Sequence, residues 1–397
     1  MASSTERIVT VDGFRWQITE LGDGPPVVLC HGFPGLGYSY RHQMRALAAS
    51  GYRAIAPDMP GYGGTDVPRD IDDYTNERVA DALIGLLDTL GHERAVFVGH
   101  DFGAPVAWTI ALRHRARVSG LVLLAVPYAP DRFPLRPSEL YASMARKHFL
   151  HIHYFQEPGV ADRELDADPR GFLQRLFYAL SGAYRYLDIW QHPSDGNGYL
   201  DVLPEAPPLP WSWLTEDEFD HYVKVFTRTG FTGGLNWYRA YDANWERSGG
   251  LAGADIEVPT LFVAGVHDPV LAMSGAQALD RMRDTVPDLR GIHLVEGAGH
   301  FVQQERPEEV NELLLRFVAA EQATTATLFG QFTDRLEVRG ERLGVRVSAH
   351  LRPARGPGGE QREEPVAEGC ADVGKVIAHF PGPLAEQGLR CGADRVA

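Results

Sequence analysis

Cysteine is scarce in this chain of 397 residues, which contains only Cys30, Cys370 and Cys391. Three cysteines so far apart cannot build a disulfide framework, and none of them is spaced like the ligand pairs of a zinc site. A chain of this length can bury a large core without such staples. The sequence therefore predicts a fold held by packing, with no metal and no organic cofactor.

Positive charge and long apolar runs are also in short supply. Lys and Arg total 38 against 53 Asp and Glu, which gives a net charge of −15. Because a surface that neutralises phosphates needs the opposite sign, we expect no nucleic-acid partner. No apolar run approaches the ~20 residues that span a bilayer. Residues 1–7 lack the basic and apolar segments of a signal peptide, so we expect a cytoplasmic protein without a membrane span.

What the chain does contain is a regular alternation of short apolar runs and segments with helical spacing. Two short strands are expected first, at residues 7–11 and 15–21. Such alternation is typical of an α/β fold with a mostly parallel sheet that helices cover on both faces. The apolar runs that predict the other strands lie at residues 26–30, 52–56, 95–99, 121–126, 260–265 and 292–295.

Two stretches depart from this alternation. Residues 127–250 are rich in aromatic side chains and helix-like, which predicts a helical cap inserted after the sixth strand, between core segments 1–126 and 251–320. Residues 321–397 are rich in Gly, Pro, Arg and Glu, and such composition favours a disordered tail. Strand-like pieces such as residues 343–347 keep a small appended fold open as the alternative.

A sharp turn is predicted where the fifth strand meets the next helix. Residues 99–103 read Gly-His-Asp-Phe-Gly, the G-x-nucleophile-x-G form of the α/β-hydrolase elbow with Asp in place of Ser. Glycines on both sides let the backbone turn tightly, so the carboxylate of Asp101 projects above the sheet. Alone the pattern is weak, because aspartate is common in ordinary turns.

Two later segments supply an acid and a base at the ends of the following strands. Asp268 follows the strand at 260–265, and His300 follows the strand at 292–295. The order nucleophile, acid, histidine is that of the α/β hydrolases. Asp268 can orient His300 and stabilise its charged form.

The loop after the third strand completes the expected site. It begins His31-Gly32-Phe33, and in such folds this loop supplies one of two backbone N–H donors to an oxyanion. We predict the amides of Phe33 and Phe102 as those donors, with a structural role for the His31 side chain.

Taken together, these motifs resemble the soluble epoxide hydrolases over about residues 8–319. Two cap segments, at residues 153–159 and 234–239, strengthen the resemblance. It implies that Tyr154 and Tyr238 reach over the nucleophile and hydrogen-bond the epoxide oxygen. Other cap tyrosines, which lack such flanking motifs, are Tyr178, Tyr184, Tyr186 and Tyr241. Phe102 is a departure, since the family more often has Trp there, and it implies a changed pocket shape.

The resemblance also implies the chemistry. Asp101 would open the strained ring to form an ester, and water activated by His300 would hydrolyse that ester to a vicinal diol. The side chains expected to contact the substrate are those of Phe33, Phe102, Phe155 and Trp237. The partners are then a small epoxide and water, with a homodimer as a further possibility.

Two other functions use the same residues differently. A haloalkane or haloacid dehalogenase would share the Asp–His–Asp machinery, but it expels a halide, whereas a tyrosine pair suits an alkoxide. A non-catalytic ligand-binding protein on this fold would lack the acid or the histidine, and neither is missing. An esterase is disfavoured, because attack of Asp101 on an ordinary ester would give an anhydride.

Overall fold

The computed structural model describes residues 4–130 and 134–323. Its centre is one sheet of eight strands in the order β1-β2-β4-β3-β5-β6-β7-β8. Only β1 and β2 run antiparallel to their neighbours, so β3 to β8 form a parallel block. The strands are β1 (Thr5–Val11), β2 (Phe14–Leu21), β3 (Pro26–Cys30), β4 (Arg53–Pro57), β5 (Ala95–His100), β6 (Val118–Leu124), β7 (Thr260–Gly265) and β8 (Leu289–Val295).

Helices cover both faces of this sheet, as the alternating pattern predicts. Fully buried strands such as β5 show no polar face, because each side of the sheet packs against helices. The helices outside the cap are α1 (Arg41–Ala49), α2 (Asn76–Thr89) and α3 (Gly103–Arg113), followed late in the chain by α12 (Pro269–Met273), α13 (Ala278–Thr285), α14 (Val302–Glu305) and a helix over residues 307–323, here α15.

Between β6 and β7 the described residues form helices and no named strand. Buried aromatic side chains from this segment join the same hydrophobic core as the sheet. The helical cap and its predicted place after the sixth strand are thus confirmed. Its helices are α4 (Pro137–Ala145), α5 (His151–Tyr154), α6 (Val160–Ala167), α7 (Pro169–Leu180), α8 (Tyr199–Val202), α9 (Glu216–Thr229), α10 (Thr232–Arg239) and α11 (Tyr241–Arg247).

The end of the described chain bears on the predicted tail. Helix α15 continues through residues 321–323, and the Glu321 side chain is buried. The start of the tail at residue 321 therefore falls inside a helix. The rest of that prediction, including residues 343–347, lies outside the described residues.

Candidate active site

Asp101 lies at the junction between β5 and α3 in a strained turn. Its backbone φ is +51°, in the left-handed region that residues other than glycine rarely adopt. The two flanking glycines make the turn possible: a Cβ on Gly99 would lie 2.2 Å from the Gly103 carbonyl oxygen, and one on Gly103 would lie 2.0 Å from the Cys30 carbonyl oxygen. The elbow predicted from the sequence is therefore present.

The carboxylate of Asp101 contacts the loop that follows β3. The Phe33 amide donates to its Oδ1 at 2.7 Å. Gly32 permits this approach, because a Cβ there would lie 2.1 Å from Oδ1 and 2.5 Å from the Phe102 nitrogen. Of the two amides predicted as oxyanion donors, that of Phe33 contacts the carboxylate, and the Phe102 nitrogen lies beside the same Gly32.

His300 lies between Asp101 and Asp268. Its Nε2 is 3.6 Å from Asp101 Oδ2, and its Nδ1 is 3.2 Å from Asp268 Oδ1. Asp268 is fixed in turn by the Val270 amide, which donates to its Oδ1 at 2.8 Å. The three side chains that the sequence placed after separate strands converge because those strands are parallel and end at the same edge of the sheet.

Charge is concentrated in this buried triad. Burial lowers the pKa of His300, but the Asp268 and Asp101 carboxylates outweigh that effect and raise the pKa to about 10. Burial also works against the charge on Asp101, yet the interaction with His300 holds its pKa below the ordinary value. At neutral pH the resting site therefore contains an imidazolium between two carboxylates.

The loop of His300 is braced by a residue that the sequence reading missed. The buried carboxylate of Glu305 accepts hydrogen bonds from the amides of Gly182, Gly299 and Phe301 at 2.8–3.1 Å. On the other side, His100 Nε2 lies 2.7 Å from the His300 carbonyl oxygen. Buried acids that accept several amides are common devices for fixing loops, but no spacing pattern marks them in advance.

Tyr238 reaches the site from the cap. Its ring lies edge-on to Phe33 and Phe102, with centroids 5.5 and 4.7 Å away. It lines a cavity together with Asp101 and His300. Burial, with the charge of Asp101 nearby, raises its pKa well above the usual value, so the hydroxyl keeps its proton.

Comparisons with known proteins agree with this geometry. Residues 25–307 match the family described as the alpha/beta hydrolase fold. Epoxide hydrolase A of Mycobacterium tuberculosis is 45% identical over 326 residues, covering 80% of this chain and 98% of that protein. Epoxide hydrolase 1 of Siraitia grosvenorii is 37% identical and covers 78% and 96%. The chain belongs to the epoxide hydrolases of the α/β-hydrolase fold.

Solved structures of epoxide hydrolases have the same fold as this chain. An epoxide hydrolase from an endophytic Streptomyces superposes with a TM-score of 0.77 at 39% identity, covering 81% of this chain and 96% of that one. Epoxide Hydrolase A from Mycobacterium thermoresistibile has a TM-score of 0.73 at 46% identity and covers 80% and 98%.

Against this family background, the placement of Tyr154 differs from the expectation. Its hydroxyl donates to Glu164 Oε2 at 2.9 Å, and Tyr154 is not among the residues that line the cavity beside Asp101. Burial and the Glu164 carboxylate raise the pKa of Tyr154. The prediction that Tyr154 faces the nucleophile is therefore wrong, because its hydroxyl is bound by Glu164 on α6.

Of the four side chains predicted to contact the substrate, two line the cavity and two do not. Phe33 and Phe155 line the cavity. Trp237 is buried behind Phe102, with ring centroids 5.5 Å apart, and its Nε1 donates to the Pro60 carbonyl at 2.9 Å. Phe102 and Trp237 thus support the wall of the cavity rather than line it. Residues that line it without having been predicted are His151, Leu176, Leu180, Tyr186, Tyr199, Pro269, Val270 and Met273.

Among the described residues, no three His, Cys, Asp or Glu side chains are grouped as a metal ion would require. No helix in the same part of the chain is long and apolar enough to cross a bilayer.

Proposed function

We propose that this protein hydrolyses an epoxide to a vicinal diol through a covalent ester on Asp101. The observation that carries the proposal is the position of one carboxylate, which the Phe33 amide holds at 2.7 Å in a cavity that Tyr238 also lines. A carboxylate nucleophile paired with a neutral O–H donor suits a substrate whose leaving group is an alkoxide.

The first half of the reaction needs an anion and a proton donor. An oxygen of Asp101 attacks one ring carbon, the bond from that carbon to the epoxide oxygen breaks, and its electron pair passes to that oxygen. Tyr238 supplies the proton there, since its hydroxyl is neutral and the residue lines the same cavity. A hydroxyalkyl ester of Asp101 results.

The second half needs a base. Once Asp101 is esterified its negative charge is gone, so one of the two carboxylates that raise the His300 pKa no longer acts. His300 then loses its proton more easily and can take one from water, which attacks the ester carbonyl. The proton that His300 gives up first restores the Tyr238 hydroxyl. The oxyanion that forms is met by the Phe33 and Phe102 amides. Its collapse breaks the ester bond, the departing oxygen takes the proton that His300 took from water, and the diol leaves; the proton on the Asp101 carboxyl then returns to His300. Ester formation thereby switches His300 from counter-ion to base.

The His300→Gln variant tests this scheme by separating the two halves. Asp101 still attacks the epoxide, but water lacks its base, so we expect substrate to accumulate on the peptide that contains Asp101. Intact-protein mass spectrometry measures the gain, which equals the mass of the whole epoxide. Styrene-type, aliphatic and bulky epoxides should be compared, with the double variant Asp101→Asn/His300→Gln as the control.

A dehalogenase would give a different result in the same assay. A haloalkane forms an adduct that lacks the halogen, so its mass gain is smaller than the mass of the substrate. Adducts from haloalkanes but from no epoxide would overturn the proposed function. A cytoplasmic location and a homodimer are further proposals from the sequence, to be tested by cell fractionation and by sedimentation of the purified protein.

A further inference from the structure

His151 occupies the cavity wall where the sequence reading expected Tyr154. It begins the short helix α5 that Tyr154 ends, and it lines the cavity together with Asp101 and Tyr238. Its ring lies edge-on to the Tyr238 ring, with centroids 5.7 Å apart and an interplanar angle of 88°. Two side chains with polar hydrogen atoms, on α5 and α10, therefore meet beside the nucleophile.

A pair of buried tyrosines holds the His151 ring in place. Its Nδ1 lies 2.9 Å from the Tyr186 hydroxyl, which lies 2.5 Å from the Tyr199 hydroxyl. Tyr199 also stacks on the imidazole at a centroid distance of 5.8 Å with the planes 8° apart. A hydrogen bond to one ring nitrogen fixes the orientation and the tautomer of a histidine, and Tyr186 makes that bond to Nδ1 of His151.

The direction of these hydrogen bonds determines where the His151 proton lies. Within the described residues, the Tyr199 hydroxyl has Tyr186 as its hydrogen-bond partner, so its proton has an acceptor only if Tyr199 donates to Tyr186. Tyr186 then donates its own proton to Nδ1 of His151. The remaining proton of the neutral ring is on Nε2, for which the described side chains and backbone provide no partner.

The charge state of His151 agrees with this tautomer. Burial lowers its pKa to about 4, and the nearby charges oppose one another, since Asp101 raises the pKa and His300 lowers it. The ring is therefore neutral at neutral pH. A neutral imidazole N–H can donate a hydrogen bond without offering a second positive charge to Asp101.

We propose that Nε2–H of His151 is the second hydrogen-bond donor to the epoxide oxygen, beside the hydroxyl of Tyr238. The inference rests on the proposed function and assigns a residue to its first step. As the ring bond breaks, its electron pair moves to the epoxide oxygen, and the proton that oxygen receives comes from Tyr238. His151 keeps its proton and stabilises the developing negative charge by a hydrogen bond.

The test is the rate at which Asp101 is alkylated, measured in the His300→Gln background by rapid quench and mass spectrometry. His151→Phe removes the N–H donor and retains an aromatic ring, so we expect the rate to fall by about 10- to 100-fold. His151→Gln, which restores an N–H donor, should recover much of that loss. Tyr154→Phe is the matched control on the same helix, and its rate should equal that of the parent.

Tyr186→Phe provides a second route if His151→Phe fails to fold. It leaves the imidazole in place but removes the hydrogen bond to Nδ1, so we expect slower alkylation with little change in the amount of adduct finally formed. Parental alkylation rates in both variants, or a slow Tyr154→Phe variant, would overturn the assignment. Failure of the proposed function looks different, because the parent itself would then form no adduct with any epoxide.

Discussion

At the scale of single residues, the charge of His300 depends on the chemical state of Asp101. The two groups are 3.6 Å apart, and Asp268 lies on the other side of the ring. In the resting enzyme both carboxylates favour the imidazolium, which in turn keeps Asp101 anionic. An ester on Asp101 removes one of these interactions and leaves only Asp268 to orient the ring.

This coupling predicts that the two halves of the reaction respond differently to pH. Alkylation needs the Asp101 anion, and its pKa is below the ordinary 3.8, so lowering the pH from neutral should leave this rate unchanged until strongly acid conditions. Ester hydrolysis needs neutral His300, so its rate should fall as the pH falls through the pKa of the esterified state, which is below about 10. Single-turnover measurements of both rates, across the range in which the fold is stable, provide the test. A common pH curve for the two rates would contradict it.

The sequence located the triad but misassigned one donor, and both outcomes have physical causes. Asp101, Asp268 and His300 each follow a buried strand, and parallel strands bring such positions together without further information. The roles of His151 and Tyr154 depend instead on Glu164, which lies on another helix, and on Tyr186 and Tyr199. No local pattern around residues 151–154 reveals which side chain those three residues hold.

At the scale of elements, the two cap helices that carry Tyr238 and His151 are tied together. Gln156, just after α5, donates through Nε2 to the carbonyls of Ile152 and Tyr238 at 2.9 and 3.0 Å. Arg239, which ends α10, donates from Nε to the Phe155 carbonyl at 3.0 Å. Because these bonds link the two backbones directly, the positions of both side chains depend on the same contacts.

A buried ion pair ties α10 to a further cap helix, α6, and yields a stability prediction. Arg239 Nη2 lies 2.5 Å from Asp162 Oδ2, with 7% and 11% of the two side chains exposed. Asp162→Asn would leave the arginine charge buried without its counter-ion, which typically costs about 3–5 kcal/mol. We expect a correspondingly lower free energy of unfolding in urea, and slower alkylation of Asp101 because both donors shift.

The exposed pair between Arg283 and Asp280 provides the matched control. Its side chains are 55% and 73% exposed, so Asp280→Asn should change the free energy of unfolding by less than about 1 kcal/mol. Equal effects of the two substitutions would show that the pair of Asp162 and Arg239 does not hold the cap helices together.

Each strand overlaps the apolar run that predicted it, but the region after β7 contains a break that the runs did not indicate. After β7 the chain forms two short helices, α12 and α13, separated by a turn at Gly275. That glycine has a φ of +88°, which ends a right-handed helix. A single glycine in such a stretch does not by itself indicate where a helix stops.

At the scale of the whole molecule, the core of the sheet continues into the last described helix, α15. Phe317 and Val318 are buried there, and a Cβ on Gly120 in β6 would lie 2.8 Å from the Phe317 ring. The site residues all precede this helix, since the latest of the triad is His300. The fold and the site therefore place different requirements on where the chain can be shortened.

Two truncations separate these requirements. A chain that ends at Ala323 retains every described contact of the sheet, the cap and the site, so we expect it to melt and to turn over epoxide as the full chain does. A chain that ends at Arg316 loses the buried Phe317 and Val318, and removing one large buried aromatic side chain alone typically costs about 3–5 kcal/mol. It should therefore melt at a lower temperature or fail to accumulate in soluble form. Thermal unfolding and diol formation, measured on both, provide the comparison. A folded chain ending at Ala323 without turnover would show that residues 324–397 contribute to the site, because no other difference separates it from the full protein.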